Sequence, residues 1–411
     1  MRVNKYLWKE VIKMDMNLRN LDNTAKAFSL DEKKNSNTFR ISGLLNEKVD
    51  PTILYKALLK SLEVYPFYKV KLKKGFFWLY FISNDNEILV KKEKYSDDKR
   101  ITMEYNNKYL FRVNYNDNKI NLDIYHLISD GKGASIFFKE ILANYFDLKY
   151  NLNHEVECQN LVKTDPYIDY TELVIHKKEK KHKKYRIIEK ANFLKNKNYI
   201  YTLSLNVVKK VAKDNNATIT EYLTALYIYT IYKTIYRKCN KDIVITIPID
   251  LRRYYNVETL SNFFTCMEVE GNVINKDVTF DYILSNVKNE FKNKLTNDKV
   301  KTYLSRDVKL GTNIILKLIP RYIKKASMKY LGKVINNSST STLSNVGPFI
   351  IDEQYKKYID NIYISVNAGA VQRVKCVICS YEDKFNIIIN SNLISNEFEE
   401  EFSRLLKEKF K

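Results

Sequence analysis

Residues 121–138, NLDIYHLISDGKGASIFF, carry the most informative pattern in the chain. It opens with the β-forming residues of a strand, turns sharply at Asp130–Gly131 and continues as a helix. His126 lies near the end of the strand, and Asp130 follows four residues later. A histidine at such a junction is held on rigid elements and faces a crevice, so this is a good position for a general base. We expect Gly131 to provide a tight or left-handed turn.

A purely structural interpretation of His126 stands beside the functional one. A single histidine at a strand end is commonly a hydrogen-bonded, partly buried side chain, and His-x-x-x-Asp-Gly is short enough to occur by chance. The strand before the motif and the helix after it favour function. The imidazole has an ordinary pKa of about 6.5, which lets it accept a proton at neutral pH and return it later.

Four stretches of the chain resemble the CoA-dependent acyltransferase superfamily, in the order found there: NLRNLDNTAKAF (17–28), YHLISDG (125–131), IPIDLRRYYNVETLSNFF (247–264) and STLSNVGPF (341–349). This group includes chloramphenicol acetyltransferase, plant acyl-CoA alcohol acyltransferases, bacterial alcohol acetyltransferase-like proteins and peptide-synthetase condensation domains. The bacterial alcohol acetyltransferase-like branch is the most similar. The resemblance implies a mixed α/β, chloramphenicol acetyltransferase-like fold of two similar subdomains, with the active site in the crevice between them.

The resemblance also implies roles for individual residues. His126 would be the general base for direct acyl transfer, and Asp130 a structural carboxylate held by an arginine, for which Arg252 is the candidate. Pairing of Asp130 with His126, as in a catalytic triad, is the alternative. Gly131 would form the turn and let substrate pass close to the backbone.

Ser344 and Asn345 match the Ser-Asn-x-Gly element of the superfamily. They are candidates for lining the site, with Asn345 as a donor to the oxyanion, which needs a donor about 3 Å away. The alternative is that SNVGP is simply a turn. Asn262 is a weaker candidate of the same kind.

Two departures separate the chain from other branches of the superfamily. Tyr125 precedes His126, where condensation domains usually carry a second histidine. The Asp-Phe-Gly-Trp-Gly motif of the plant enzymes is absent from the sequence.

The expected domain organisation rests on length and charge. A chain of 411 residues can form two or three domain-sized units. The run HKKEKKHKKYR (176–186) has like charges and no apolar periodicity, which is typical of a solvated linker. We therefore predict an N-terminal subdomain over 1–175, a basic linker over 176–190 and a C-terminal subdomain over 191–411.

The formal net charge of +22 invites a nucleic-acid or membrane interpretation. The chain is rich in Lys, Asn, Ile and Tyr and poor in Ala, Gly and Pro, a composition that an AT-rich genome produces without selection for binding. No nucleic-acid-binding motif stands out. The positive charge would still attract the phosphates of CoA.

Location and metal content follow from the remaining patterns. The N-terminus lacks the apolar run of a signal peptide, so the expected location is cytoplasmic. Five cysteines imply no disulfide framework. Cys376-x-x-Cys379 lies in a β-rich run where positions three apart point to opposite faces, so we interpret it as structural. No metal is implied.

The expected function is transfer of an acyl group, with acetyl expected, from acyl-CoA as cosubstrate to a hydroxyl or amine acceptor. The first alternative is a stand-alone condensation-type enzyme with a carrier-protein-bound donor. The second is a catalytically inactive binding module on the same fold. The third is a membrane-surface protein bound through a basic, amphipathic helix predicted over 312–334. The acceptor and the oligomeric state do not follow from the sequence.

Overall fold

The computed structural model describes residues 19–28, 37–93, 106–156, 165–170, 183–193, 195–237, 239–274, 276–312, 319–320, 323 and 339–411. The strands in these ranges are β1 (Arg19–Asn20), β2 (Thr38–Leu45), β3 (Val70–Lys74), β4 (Leu79–Ser83), β5 (Val90–Lys92), β6 (Phe111–Asn116), β7 (Lys119–Tyr125), β8 (Lys197–Ser204), β9 (Val244–Asp250), β10 (Phe264–Glu270), β11 (Ser341–Pro348), β12 (Ile359–Val366), β13 (Val374–Tyr381) and β14 (Lys384–Ser391). The helices are α1 (Asn23–Phe28), α2 (Pro51–Val64), α3 (Gly131–Tyr150), α4 (Leu205–Asp214), α5 (Ile219–Thr234), α6 (Arg252–Tyr255), α7 (Phe280–Lys294), α8 (Asn297–Thr312), α9 (Glu353–Lys356) and α10 (Glu397–Lys409).

The first half of the chain is built around a five-stranded sheet in the order β12-β2-β7-β6-β5. Helices α2 and α3 bury Leu58 and Phe137 in the same core as the sheet residues Ile41 and Leu122. Strand β12 belongs to the second half of the chain but lies antiparallel to β2 at the edge of this sheet. This crossing of a C-terminal strand into the N-terminal sheet was not predicted from the sequence.

The second half forms a six-stranded sheet in the order β10-β9-β11-β13-β14-β8. Strand β11 is parallel to β9 and β13, and the other pairs are antiparallel. On β13, Cys376 is buried in the core shared with α5, α7 and α10, whereas Cys379 is buried in the core of the five-stranded sheet. The two thiols therefore face opposite sides of the sheet, as the strand periodicity predicted.

Turn-forming residues at Lys74-Gly75 and at Asn116-Asp117-Asn118 predict two hairpins, and both are confirmed. Strands β3 and β4 pair antiparallel on either side of Gly75, and β6 and β7 pair antiparallel around a turn in which Asp117 has a left-handed φ of 43°. Asp50 caps α2 by accepting hydrogen bonds from the backbone N–H groups of Thr52 and Ile53, as the Asp-Pro start predicted. Local patterns of this kind need only neighbouring residues, which is why the sequence revealed them.

Two local predictions differ from the structure. The cap of α5 is Thr218 rather than Thr220, because Thr218 forms a reciprocal capping box with Glu221. Within the predicted linker, Tyr185 and Ile187 are buried in the core of the six-stranded sheet, so residues 183–190 are not the solvated segment that their charge pattern predicted. Apolar residues between the lysines were the missed signal.

Several predictions concern residues outside the described ranges. They include most of the predicted 312–334 helix, Cys158, and the linker residues 176–182 with His176 and His182. The structure instead places a helix that was not predicted, α8, before that region. The subdomain boundaries at 175 and 190 remain predictions. Among the described residues, no helix is long and apolar enough to cross a membrane.

A buried ion cluster lies at the C-terminal end of α3. His154 Nδ1 is 2.7 Å from an Asp147 carboxylate oxygen, and His154 Nε2 is 3.3 Å from a Glu140 carboxylate oxygen. The hydrogen bond to Glu140, together with that to Asp147, raises the pKa of His154 to about 9 in spite of burial. His154 is therefore a structural cation.

Candidate active site

His126 lies at the meeting point of the two sheets. It follows β7 directly, and its backbone N–H donates to the carbonyl oxygen of Asn37 across 2.7 Å. Its half-buried ring packs edge-on against Phe39 of β2, with ring centroids 5.1 Å apart, and lies 5.7 Å from the ring of Phe264 on β10. The imidazole is therefore held between β2, an interior strand of the five-stranded sheet, and β10, an edge strand of the six-stranded sheet.

Asp130 organises the start of α3. It is the N-cap of this helix, and its Oδ1 accepts from the backbone N–H of Gly133 across 3.0 Å. Its other oxygen, Oδ2, accepts from the backbone N–H of Phe263 across 2.9 Å. Arg252 completes the set with a two-pronged ion pair, Nη1 to Oδ2 at 2.9 Å and Nη2 to Oδ1 at 3.1 Å. This is the Asp130–Arg252 contact that the sequence analysis expected.

The charge of Asp130 is stabilised by these partners. Burial alone would raise the pKa of the carboxyl, but the Arg252 guanidinium and the N–H groups of Gly133 and Phe263 hold it below the ordinary value. The carboxylate is therefore ionised at neutral pH. Both carboxylate oxygens are engaged by Arg252 and by the N–H groups of Gly133 and Phe263, and Nδ1 of His126 faces Asn262, so these contacts differ from the triad-like pairing that was the alternative.

Arg252 also fixes the loop that leads into β10. Its Nε and Nη2 donate to the carbonyl oxygen of Thr259 at 3.2 and 3.1 Å, and its Nη2 donates to that of Ser261 at 2.8 Å. Asp130 holds the N–H of Phe263, two residues further on. The backbone on both sides of Asn262 is thus clamped by one ion pair.

Asn262 connects this loop to the histidine. Its Oδ1 is 3.0 Å from Nδ1 of His126, and its Nδ2 donates across 3.0 Å to Oδ2 of Asp22. Both ends of the amide are thereby engaged, which does not fit the predicted role as an oxyanion donor. Asp22 and Asn262 are buried, with 2% and 0% of their surface exposed.

Asp22 is a site residue that sequence reasoning missed. From its residues alone, the stretch 17–28 predicts only a loop entering the core. The structure shows that Asp22 Oδ1 caps α1 by accepting from the backbone N–H of Ala25 across 2.7 Å, while Oδ2 faces Asn262. The available signal was an acidic residue at the start of a short helix within one of the four resembling stretches.

The environment of His126 lowers its pKa. Burial is the main cause, and the Lys375 charge acts in the same direction. The Asp130 carboxylate, the histidine's own backbone carbonyl and Asn262 act in the opposite direction without cancelling the effect of burial. The ring is therefore neutral at pH 7, which is the form that can accept a proton.

Gly131 has a different role from the one predicted. It is the first residue of α3, and Gly347 is the glycine for which the described residues show a left-handed φ, at 84°. A Cβ on Gly131 would make ordinary contacts at 3.7 Å with Val346 and Ile364. The turn is therefore built by the Asp130 cap and does not require the conformational freedom of glycine at 131.

Gly133 is the glycine on which the packing depends. A Cβ there would overlap the carbonyl oxygen of Leu260 and the hydroxyl of Ser129. Ser129 Oγ donates to the same Leu260 carbonyl across 2.7 Å. The close approach of α3 to the 259–263 loop thus needs a residue without a side chain at position 133.

Ser344 and Asn345 lie on β11, and the structure has an extended strand there with an irregular register between Asn345 and Gly347. Asn345 is exposed, and its Nδ2 donates to the Thr220 hydroxyl across 2.9 Å. The strand approaches the start of α3 through Val346, which lies beside Gly131. No recorded polar contact joins Ser344 or Asn345 to His126 in the part of the chain that the structure describes.

No group of three or more His, Cys, Asp or Glu side chains that could hold a metal ion is present among the described residues.

Comparison with known proteins identifies the fold. No protein-family model matches the chain. No curated protein matches it in sequence. Trichothecene 15-O-acetyltransferase from Fusarium sporotrichioides aligns with a TM-score of 0.65 and 11% identity, over 95% of this chain and 94% of that one. Polyketide synthase associated protein 5 from Mycobacterium tuberculosis aligns with a TM-score of 0.61 and 12% identity, over 95% and 97%.

A condensation domain is similar to the same extent. The starter condensation domain of rhizomide synthetase, solved with C8-CoA and Leu-SNAC, aligns with a TM-score of 0.61 and 10% identity, over 99% of this chain and 97% of that one. The protein therefore has the chloramphenicol acetyltransferase-like fold of two subdomains that acyltransferases and condensation domains share. The predicted fold class is confirmed.

Proposed function

We propose that the protein is an acyltransferase that moves an acyl group, with acetyl as the expected group, from acyl-CoA to a hydroxyl or amine acceptor. The observation that carries the proposal is the neutral, half-buried His126, whose Nδ1 faces Asn262 at the junction of the two sheets. A base with a lowered pKa is uncharged at neutral pH and accepts a proton during attack. Four stretches of the sequence resemble the bacterial alcohol acetyltransferase-like branch, and this resemblance supports an alcohol as acceptor.

The proposed reaction is a direct transfer. His126 Nε2 takes the proton from the acceptor while its oxygen or nitrogen forms a bond to the thioester carbonyl carbon. The tetrahedral intermediate collapses by breaking the carbon–sulfur bond, and the imidazolium returns its proton to the departing thiolate. The products are the ester or amide and the free thiol of CoA.

The other proposed site residues act around this step. Asp130 and Arg252 hold the loop that carries Asn262. Ser344 and Asn345 are proposed to line the site beside α3. Asn345 donates to the Thr220 hydroxyl, so it could donate to the oxyanion only after that contact opens. Gly131 leaves the start of α3 without a side chain.

The test is release of free thiol from acetyl-CoA in the presence of a panel of alcohols and amines. His126→Ala should reduce acceptor-dependent release by about 10²- to 10⁴-fold, because a general base contributes that much. His154→Gln is the matched control, since it removes a histidine at the other end of α3, a helix of 20 residues, or about 30 Å. It should retain the rate while lowering the unfolding temperature. Equal release by wild type and His126→Ala would contradict the proposal.

A condensation-type enzyme with a carrier-protein-bound donor is the second candidate. Condensation domains match this fold nearly as well as the acetyltransferase does, with TM-scores of 0.61 and 0.60 against 0.65. The net charge of +22 also favours an acidic partner. Transfer from an acylated carrier protein without transfer from acyl-CoA would establish this candidate. Absence of transfer from both donors would favour the binding module instead.

A further inference from the structure

Three residues that are far apart in sequence form one buried chain of hydrogen bonds. Asp22 directly precedes α1, Asn262 lies in the loop before β10, and His126 directly follows β7. The two side-chain contacts span 240 and 136 positions. A purely structural role for Asp22 would require only the capping hydrogen bond from the backbone N–H of Ala25. The second carboxylate oxygen is instead directed at an amide that touches the proposed base.

The chemistry of these groups fixes the proton on the histidine. An ionised carboxylate only accepts hydrogen bonds, so the NH₂ end of Asn262 must face Asp22. The oxygen end of the amide then faces His126 Nδ1, which must be the nitrogen that carries the proton. In the neutral ring, the lone pair consequently lies on Nε2.

We propose that Asp22 and Asn262 are positioning residues that hold His126 in the Nδ1–H tautomer, so that Nε2 is the base. This inference rests on the proposed function. It extends that function by making the Asp130–Arg252 pair act on the histidine through Asn262, because the pair clamps the backbone at Ser261 and Phe263.

Protonation of Asp22 would undo this arrangement. Burial raises the pKa of Asp22 to about 7, against the hydrogen bonds from Ala25 and Asn262, and the nearby Asp165 carboxylate adds to the rise. A protonated Asp22 can donate, so the Asn262 amide is free to turn over and offer its NH₂ group to Nδ1. The Arg19 guanidinium also acts on Asp22, and Asp130 and Lys375 act on His126.

Two ionisations therefore control the acidic limb of the pH profile, that of His126 itself and that of Asp22. We expect log(kcat/KM) to fall with a slope that approaches 2 as the pH decreases. In Asp22→Asn the side-chain amide can both donate and accept, as a protonated Asp22 can, but it no longer titrates. The slope should therefore become 1, and the rate at neutral pH should fall by an amount similar to that in Asn262→Ala. Asn262→Ala should lower kcat by about 5- to 100-fold, the effect of a lost buried hydrogen bond.

Asp165→Asn is the matched control. It removes a neighbouring carboxylate that has no recorded contact with Asn262 and forms an ion pair with Lys26 instead. Its acidic limb should keep the slope of 2. An unchanged slope in Asp22→Asn, or an unchanged kcat in Asn262→Ala, would overturn the positioning role.

A measurement that needs no activity separates this inference from the proposed function. The ring ¹⁵N resonances of His126, assigned by comparison with His126→Ala, report the tautomer directly in the full-length protein. Wild type should show the Nδ1–H form above the pKa of Asp22, and Asn262→Ala a mixture of tautomers. The Nε2–H form in wild type would refute the inference even if the enzyme were active, whereas the Nδ1–H form without activity would refute only the proposed function.

A second inference rests on an independent feature, the tip of the β3–β4 hairpin. Gly75 and Trp78 close the turn with a hydrogen bond of 2.8 Å from N–H to carbonyl oxygen, and Phe76 and Phe77 occupy the two positions between them. Phe76 is 67% exposed and Phe77 is 36% exposed, with ring centroids 4.9 Å apart. A tight turn does not itself call for phenyl rings, because turns favour Gly, Asn and Asp.

The residues beside the tip indicate the kind of partner. Residues 70–83 contain three lysines, five aromatic residues and no Asp or Glu, and Lys73 and Lys74 are exposed next to the turn. Aromatic rings with adjacent lysines are the combination that enters the interface of an anionic bilayer. We infer that this hairpin tip binds anionic membrane surfaces.

The test is sedimentation of the full-length protein with vesicles of phosphatidylcholine alone or mixed with phosphatidylglycerol. Binding should require the anionic lipid, weaken with salt and fall about tenfold or more in Phe76→Ser/Phe77→Ser. Ile188→Ser/Ile394→Ser is the matched control, because it removes two apolar residues that are 66% and 63% exposed elsewhere. The inference would be overturned if wild type did not bind, or if the phenylalanine variant bound as well as wild type. Binding of both proteins to the same extent is also what a membrane-surface helix over 312–334 predicts.

Discussion

Replacement of Arg252 by glutamine should destabilise the protein and slow the reaction together. The guanidinium has an exposed side-chain fraction of 11% and is the cationic partner of Asp130. Its removal would leave the Asp130 carboxylate with two backbone donors, those of Gly133 and Phe263. Breaking a buried ion pair by removing one partner costs about 3–5 kcal/mol, because an uncompensated charge remains.

The same change should affect catalysis through the 259–263 loop. Arg252→Gln removes the donors that hold the carbonyl groups of Thr259 and Ser261, so Asn262 is no longer fixed opposite His126. A misplacement of about 1 Å can cost about 10²-fold in rate, and we expect a loss of this size in kcat/KM. Arg252→Lys should lie between wild type and Arg252→Gln, since a lysine cannot reproduce the two-pronged geometry.

Urea unfolding and thiol release measure the two effects. Arg253→Gln is the matched control, because Arg253 is the adjacent arginine and is exposed. The double variant Asp130→Asn/Arg252→Gln should be less destabilised than the sum of the single variants, because each single variant leaves one buried charge without its partner and the double variant removes both charges. A midpoint and a rate for Arg252→Gln equal to those of Arg253→Gln would refute the reasoning.

Acid should abolish the contribution of this ion pair. The folded-state pKa of Asp130 is lowered, so its stabilising effect is fully present above the ordinary carboxyl pKa of about 3.9 and is lost as the pH falls through the folded value. The difference in stability between wild type and Arg252→Gln should accordingly be largest near neutrality and shrink as the pH falls, because the unpaired buried carboxyl of the variant takes up its proton at a higher pH than the paired carboxyl of wild type.

The remaining predictions concern stability at other positions. His154→Gln should lower the free energy of unfolding most at pH 6, by no more than about 3 kcal/mol, and have little effect at pH 10. The folded-state pKa of about 9 exceeds the unfolded value, so the stabilisation is fully present below about pH 6.5 and is lost as the pH rises through 9. A pH-independent effect would contradict the ion cluster. Gly133→Ala should cost about 1–3 kcal/mol because its Cβ overlaps the Leu260 carbonyl, whereas Gly131→Ala should change stability by less than about 1 kcal/mol, and the same urea midpoints compare them.

The local elements around the motif could be predicted from the amino-acid sequence alone. The strand that ends at Tyr125, the Asp130 cap and the helix from Gly131 depend on neighbouring residues, and so do the hairpins β3–β4 and β6–β7. The resemblance of four stretches supplied the fold and the pairing of Asp130 with Arg252. These signals are local in the chain or repeated across a superfamily, so one sequence was enough to predict them.

The distant residues that are linked to His126 by hydrogen bonds could be identified only from the folded structure. The contact of His126 with Asn262 joins residues 136 positions apart, and the contact of Asn262 with Asp22 joins residues 240 positions apart. The crossing of β12 into the N-terminal sheet and the need for glycine at 133 were equally hidden. Periodicity and propensity describe only what a segment forms, whereas the packing of two sheets determines which side chains share a buried space and hence which nitrogen of the histidine carries the proton.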